Sequence, residues 1–178
     1  MKSSFLFTVM LMLLSSAGCS SGLKNDIADM IDKTFVCETQ SYEKFGEEPS
    51  RNSRQISEYK FTFIAYFDSI ECMECHINKL NNWNKFIQIC EDNDTRVLFL
   101  FNPKRGDIMN LKMNIMRQRF KYPVYIDTCG SVKKHNNWIP KNPICHTFLL
   151  NDKNKVIMVG DPRKNISIMN LFNSMVKN

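Results

Sequence analysis

Apolar residues fall in short blocks along this chain, and the spacing inside each block separates strands from helices. Lys60-Phe61-Thr62-Phe63-Ile64-Ala65-Tyr66-Phe67 is rich in aromatic and β-branched residues and too short for a globular helix, which predicts a buried strand. Ile77, Leu80, Trp83, Phe86, Ile87 and Cys90 then recur every three or four residues, the stripe of an amphipathic helix over 75–90. A second strand is predicted at 96–101, and Ile108, Leu111, Ile115, Met116 and Phe120 mark a helix over 106–120. A short strand at 123–126 and a long loop from Cys129 to Cys145 follow. Thr147-Phe148-Leu149-Leu150 and Val156-Ile157-Met158-Val159 flank a polar turn and read as an antiparallel hairpin. Ile166, Met169, Leu171, Phe172 and Val176 close the chain as a helix. This order implies an α/β architecture, a parallel portion with helices on both sheet faces and a final hairpin as an antiparallel edge.

The N-terminal part is less periodic. Leu23, Ile27, Met30, Ile31 and Phe35 predict a short helix over 24–35 lying on the core. Residues 38–58 are polar, with Gly46, Pro49 and four serines, and read as a connecting segment, with an edge strand near Phe35-Val36-Cys37. Ahead of these, Lys2 precedes an apolar stretch from Phe5 to Leu14 that small residues close. Such a stretch fits the apolar core of a signal peptide, about 7–15 residues, and falls short of the roughly 20 that span a bilayer. Ala17-Gly18-Cys19 resembles a bacterial lipobox, which implies cleavage before Cys19 and acylation of its sulfur. Ser20 follows where Asp would retain a lipoprotein at the inner membrane, so the expected place is the outer membrane, facing the periplasm. The expected division is 1–18 signal peptide, 19–58 lipidated tether with N-terminal helix and linker, and 59–178 folded domain.

Composition narrows the class. With 178 residues, 43% hydrophobic and 24% charged, the chain suits one globular domain rather than disorder or a many-pass membrane protein. Lys and Arg number 24 against 18 Asp and Glu, for a formal charge of +6. The surplus is scattered with no basic run, so no nucleic-acid partner is expected. Seven cysteines and eleven methionines point instead to redox, metal or haem chemistry. Beyond Cys19 remain Cys37, Cys72, Cys75, Cys90, Cys129 and Cys145, and an exported chain meets oxidising surroundings in which disulfides persist.

Cys72-Met73-Glu74-Cys75 stands between the predicted first strand and the helix after it. Free N–H groups at a helix N-terminus favour an anion, so Cys72 is the expected attacking thiolate. Cys75, one turn further in and less exposed, is the expected resolving thiol. Glu74 opposes thiolate formation, which implies a less oxidising couple. Asp68 stands nearby either as an aid to proton transfer or as a turn acceptor. Cys72, Cys75 and His76 also satisfy the pattern for covalent haem attachment, with His76 as iron ligand and Met109 or Met113 as a distal ligand. Cys90 reads as a buried core thiol, His135 as exposed, and Cys129 with Cys145 as candidates for a structural disulfide; Cys37 has no assignment.

From Tyr59 to Val176 the sequence resembles the thioredoxin superfamily, in particular the redoxin-like thiol-disulfide lipoproteins of Gram-negative bacteria. The resemblance rests on Tyr66-Phe67-Asp68-Ser69 leading into the Cys72/Cys75 pair, on Tyr122-Pro123-Val124-Tyr125-Ile126-Asp127, and on His146-Thr147-Phe148-Leu149-Leu150 running through to Gly160-Asp161-Pro162. It implies a central mixed sheet flanked by helices, with a C-terminal hairpin and helix. It also implies thiol-disulfide exchange without a cofactor, on exported proteins or small thiols. Cys145 takes the place of the family's cis-proline and Tyr66 that of its buried carboxylate. That fold would set Cys145 and His146 facing the dithiol, where the four residues could instead hold zinc or copper. A fourth reading is a binding module with the pair idle.

Overall fold

β2 (Phe61–Phe67) and β3 (Thr95–Phe101) lie side by side and parallel, Phe61 opposite Thr95 and Phe67 opposite Phe101, as the two apolar runs lead one to expect. The computed structural model describes residues 18–46, 59–69 and 71–177. In chain order the elements are α1 (Gly18–Met30), β1 (Glu43–Phe45), β2, α2 (Met73–Ile77), α3 (Asn84–Asp92), β3, α4 (Ile108–Gln118), β4 (Val124–Ile126), α5 (Ser131–His135), β5 (Thr147–Leu150), β6 (Val156–Val159) and α6 (Ile166–Val176). The strands form one mixed sheet in the order β1-β4-β3-β2-β5-β6. The inner pairs β4/β3 and β3/β2 are parallel, and β1 and the β5–β6 hairpin add antiparallel edges.

Both central strands are buried from end to end, so alternation does not divide apolar from polar residues but assigns apolar side chains to two cores. Phe63, Phe67, Val97, Phe99 and Phe101 face α2, α3, α4 and α6. Ile64, Tyr66, Leu98 and Leu100 face α1, α5 and the chain around Phe35. The first core is aromatic: Phe63 meets Phe86 edge-on at 4.8 Å between ring centroids and Phe172 at 6.1 Å, and Phe99 meets Trp83 at 5.2 Å. Gly160 turns the chain out of β6 at φ +121°, where an added Cβ would stand 2.7 Å from Ile168.

Several local expectations are corrected. The N-terminal helix spans Gly18–Met30 rather than 24–35, because Asp32 adopts φ +66° and the chain then runs extended, Thr34 bridging to Lys155. Phe35 reaches the core from this extended segment, while Ile31 is exposed. The edge strand forms at 43–45 instead of 35–37. Asn136 serves Val36 as a strand would, accepting its N–H and donating to its carbonyl, both at 2.8 Å. The helix expected over 75–90 is broken into α2, a 3₁₀ turn at Leu80–Trp83, and α3. Ile77, Leu80, Trp83 and Phe86 are spaced by three, which matches a three-residue turn better than 3.6. The long loop holds α5, seeded by Asp127, which accepts from the N–H of Cys129 and of Val132 and from the Ser131 hydroxyl. Cys129 and Cys145 are both free thiols, the first exposed and the second buried, so they form no structural disulfide. Cys90 is buried and His135 exposed, as expected. Residues 1–17 and 47–58, with most of the signal peptide and linker, lie outside the described residues, as does the side chain of Cys19.

Candidate active site

β2 ends at Phe67, and the chain turns through Asp68 and Glu71 into α2 at the carboxyl edge of the sheet. Cys72 occupies the N-cap position, and its sulfur accepts the N–H of Cys75 at 3.3 Å. Cys72 and Cys75 are joined in a disulfide. Both are exposed. α2 has five residues and buries only Ile77, leaving Cys75 on its solvent side.

Two carboxylates organise the turn. Asp68 is buried and accepts from the Ser69 N–H at 2.6 Å, from the Ser69 hydroxyl, from Asn102, and from the Lys133 ammonium at 2.7 Å. Of its two expected roles, that of turn acceptor is the one this geometry fills. Glu71 was not singled out by sequence reasoning, and it is the centre of the cluster. Its Oε1 lies 2.6 Å from Nδ1 of His146 and its Oε2 lies 2.8 Å from Nε2 of His76. The other ring nitrogen of His146 lies 2.9 Å from the carbonyl of Pro140, which can only accept. That nitrogen of the buried ring therefore donates. Burial pushes the Glu71 carboxyl up, but the hydrogen bonds and charge of His146 and His76 outweigh it and hold it down at about 2. His146 packs edge-on against Tyr66 and His76 lies tilted over Phe67, so both imidazoles rest on the end of β2. The signal that could have found Glu71 is slight: one acid and one histidine flank the cysteine pair on either side.

Cys145 and His146 part company. His146 joins the dithiol turn through Glu71, whereas Cys145 belongs to the core on the α1 side, because the two share a 3₁₀ turn, Pro143–His146, in which successive side chains point about 120° apart. Burial pushes its thiol up to about 11. Burial likewise pushes Cys37 up to about 12, and it raises Cys90. Among the described residues no three His, Cys, Asp or Glu side chains are grouped to hold a metal ion, so the proposed set of Cys72, Cys75, Cys145 and His146 does not assemble. The haem pattern fares no better, with its sulfurs bonded to each other and His76 turned to Glu71. Met109 and Met113, its candidate distal ligands, lie exposed on α4.

A cleft of about 330 Å³ opens beside Cys72. Met73, Glu74 and Ile77 of α2 line one wall, and Asp107, Asn110, Leu111 and Asn114 line the other.

No protein-family model matches the chain, and no curated protein matches it in sequence. Solved structures do match it. The thioredoxin domain of a thiol-disulfide oxidoreductase from Bacteroides vulgatus superposes with a TM-score of 0.53 at 12% identity, over 82% of this chain and 97% of that one. A thioredoxin-like protein in its oxidized form superposes with a TM-score of 0.50 at 16% identity, over 83% of this chain and 94% of that one. At such identities the likeness is one of architecture, and the fold of this chain is thioredoxin-like.

Proposed function

We propose that this thioredoxin-like chain is a thiol-disulfide oxidoreductase of the cell envelope, with Cys72 as the nucleophile and Cys75 as the resolving thiol. The observation that carries the reading is the exposed Cys72–Cys75 disulfide at the turn from β2 into α2, its first sulfur already accepting a backbone N–H. In the reducing direction the Cys72 thiolate attacks one sulfur of a substrate disulfide, and the other sulfur leaves as thiolate. The Cys75 thiolate then attacks Cys72 in the mixed disulfide, releasing the second substrate thiol and closing Cys72–Cys75, so two electrons pass to the substrate. The oxidising direction runs back through the same intermediate. Glu71 stabilises the turn from which Cys72 projects and is a positioning residue. His146 is tied to that turn, and Cys145 supports the loop before it. The closed ionic cluster favours this reading over haem or metal binding.

Trapping tests it. Cys75→Ser is expected to hold substrates as mixed disulfides that a reductant releases, and the Cys72→Ser, Cys75→Ser double variant to hold none. Equal capture by the two, together with no reduction of hydroxyethyl disulfide by the wild-type dithiol, would replace the enzyme with a binding module. Envelope location rests on the apolar stretch from Phe5 to Leu14 and on Ala17-Gly18-Cys19, which support lipid anchoring at the outer membrane. Among the described residues no helix is long and apolar enough to cross a membrane. Labelled fatty acid is expected in wild type and not in Cys19→Ala; equal labelling would remove the anchor from the proposal.

A further inference from the structure

We infer that the cleft beside Cys72 selects polypeptide substrates whose residue next to the reacting cysteine is a lysine or arginine, and that it disfavours anionic thiols such as glutathione. The inference rests on the oxidoreductase reading and narrows its substrate class. Cys72 forms part of the cleft wall, so whatever seats there lies beside the attacking sulfur. Ile77 and Leu111 are buried at 1% and 2% exposure and give the cleft an apolar floor, with the half-buried Met73 beside them. Glu74 and Asp107 stand exposed on opposite walls, and among the described residues neither enters an ion pair. Lys104 and Arg105 precede Asp107 in the chain but do not line the cleft. Asn110 and Asn114, four residues apart on α4, supply amides that can donate to and accept from an extended peptide backbone.

An apolar floor between two unpaired carboxylates matches one kind of side chain. A lysine or arginine lays its methylene stem on Ile77 and Leu111 and carries its charge to the rim. The volume suits one long side chain with a little of its backbone, at the small end of the range for ligand sites, about 300–1,000 Å³. A glutathione carboxylate brought to the same rim meets like charge. Selectivity of this kind acts on the encounter and weakens with salt.

The test uses the full-length chain with Cys72 and Cys75 reduced. Its rate is measured against two disulfide-linked peptides alike except for Lys or Glu beside the cysteine, each rate divided by that peptide's rate with dithiothreitol to remove intrinsic reactivity. The lysine peptide is expected to react about fivefold faster at low salt, the scale of one exposed charge pair. The preference is expected to fall toward one in 0.5 M salt and to shrink in Asp107→Asn. Equal rates for the two peptides, or a preference that Asp107→Asn leaves untouched, would overturn the inference. Neutral hydroxyethyl disulfide separates the two failures: its reduction by a protein without peptide preference condemns only the cleft, and no reduction of any disulfide condemns the oxidoreductase reading as well.

Discussion

The two sides of the Cys72 turn are built on opposite principles. On the sheet side charge is paired and enclosed: Glu71 takes His146 and His76, and the neighbouring Asp68 takes Lys133, Asn102 and Ser69. On the α4 side charge is left open: Glu74 and Asp107 line opposite walls of the cleft, and among the described residues no cation lines it between them. A carboxylate that has lost its water must be matched by donors, while one at a rim keeps its hydration and stays free to meet a ligand. The sheet side therefore contributes to holding the turn in place, and the α4 side to what approaches it. Substitutions on the first should be read in stability and on the second in rate.

The largest effect is expected at Glu71. Glu71→Gln leaves the His146 ring with a neutral partner beside Tyr66, and the loss expected at pH 7 is about 3 kcal/mol, the scale for breaking a buried pair. The pH dependence follows from the depressed carboxyl. A group held at about 2 rather than its ordinary 4.5 adds stability that is fully present above about pH 4.5 and is lost as the pH falls toward 2. Urea unfolding of the oxidised proteins should thus separate wild type from Glu71→Gln at pH 7 and bring them together near pH 2. A constant gap across that range would show that Glu71 acts by shape alone, and the contrast between the two sides would fail.

A smaller effect is expected at Lys133. Its ammonium, 43% exposed, meets Asp68 at 2.7 Å, and Lys133→Met keeps the stem while removing the charge. Asp68 retains its bonds from Ser69 and Asn102, so the expected loss is about 1 kcal/mol, reduced by salt in the wild type only. Denaturant midpoints at low and high salt measure both. A loss as large as that of Glu71→Gln would mean that Asp68, rather than Glu71, is the main anchor of the turn.

What the sequence made legible divides along the same line. β2, β3, the β5–β6 hairpin and α6 were readable because each carries its signal in consecutive residues. Their burial follows from apolar runs such as Phe61–Phe67, and the cysteine pair announces itself by spacing alone. The ionic cluster carries no local signal: Glu71 and His146 lie 75 residues apart and meet only because β5 pairs with β2. Cys145 and His146 were expected to face the dithiol together, and the sequence offered nothing to say which of two neighbours turns toward it. α5 was hidden for another reason, its five residues depending on Asp127 and not on an apolar stripe. The exposure of Ile31 follows from where α1 stops, and the break after Ile77 from how short α2 is. Both are boundary effects, the least legible feature of any periodic pattern.

The smallest effect is expected at Asp107, and its smallness is the point. Asp107 occupies the N-cap position of α4, but its side chain makes no capping hydrogen bond, its backbone lying at φ −98° and ψ −4°. Asparagine serves that position as well as aspartate does, so Asp107→Asn removes a charge and leaves the local geometry intact. What is lost is the attraction of one exposed carboxylate to the start of the helix, about 0.3–0.5 kcal/mol and less in salt. Thermal unfolding should thus show a shift of no more than about two degrees, while the peptide preference at Cys72 falls. A loss above about 1 kcal/mol would mean that the carboxylate supports α4 directly, and that the α4 side is built on the same principle as the sheet side.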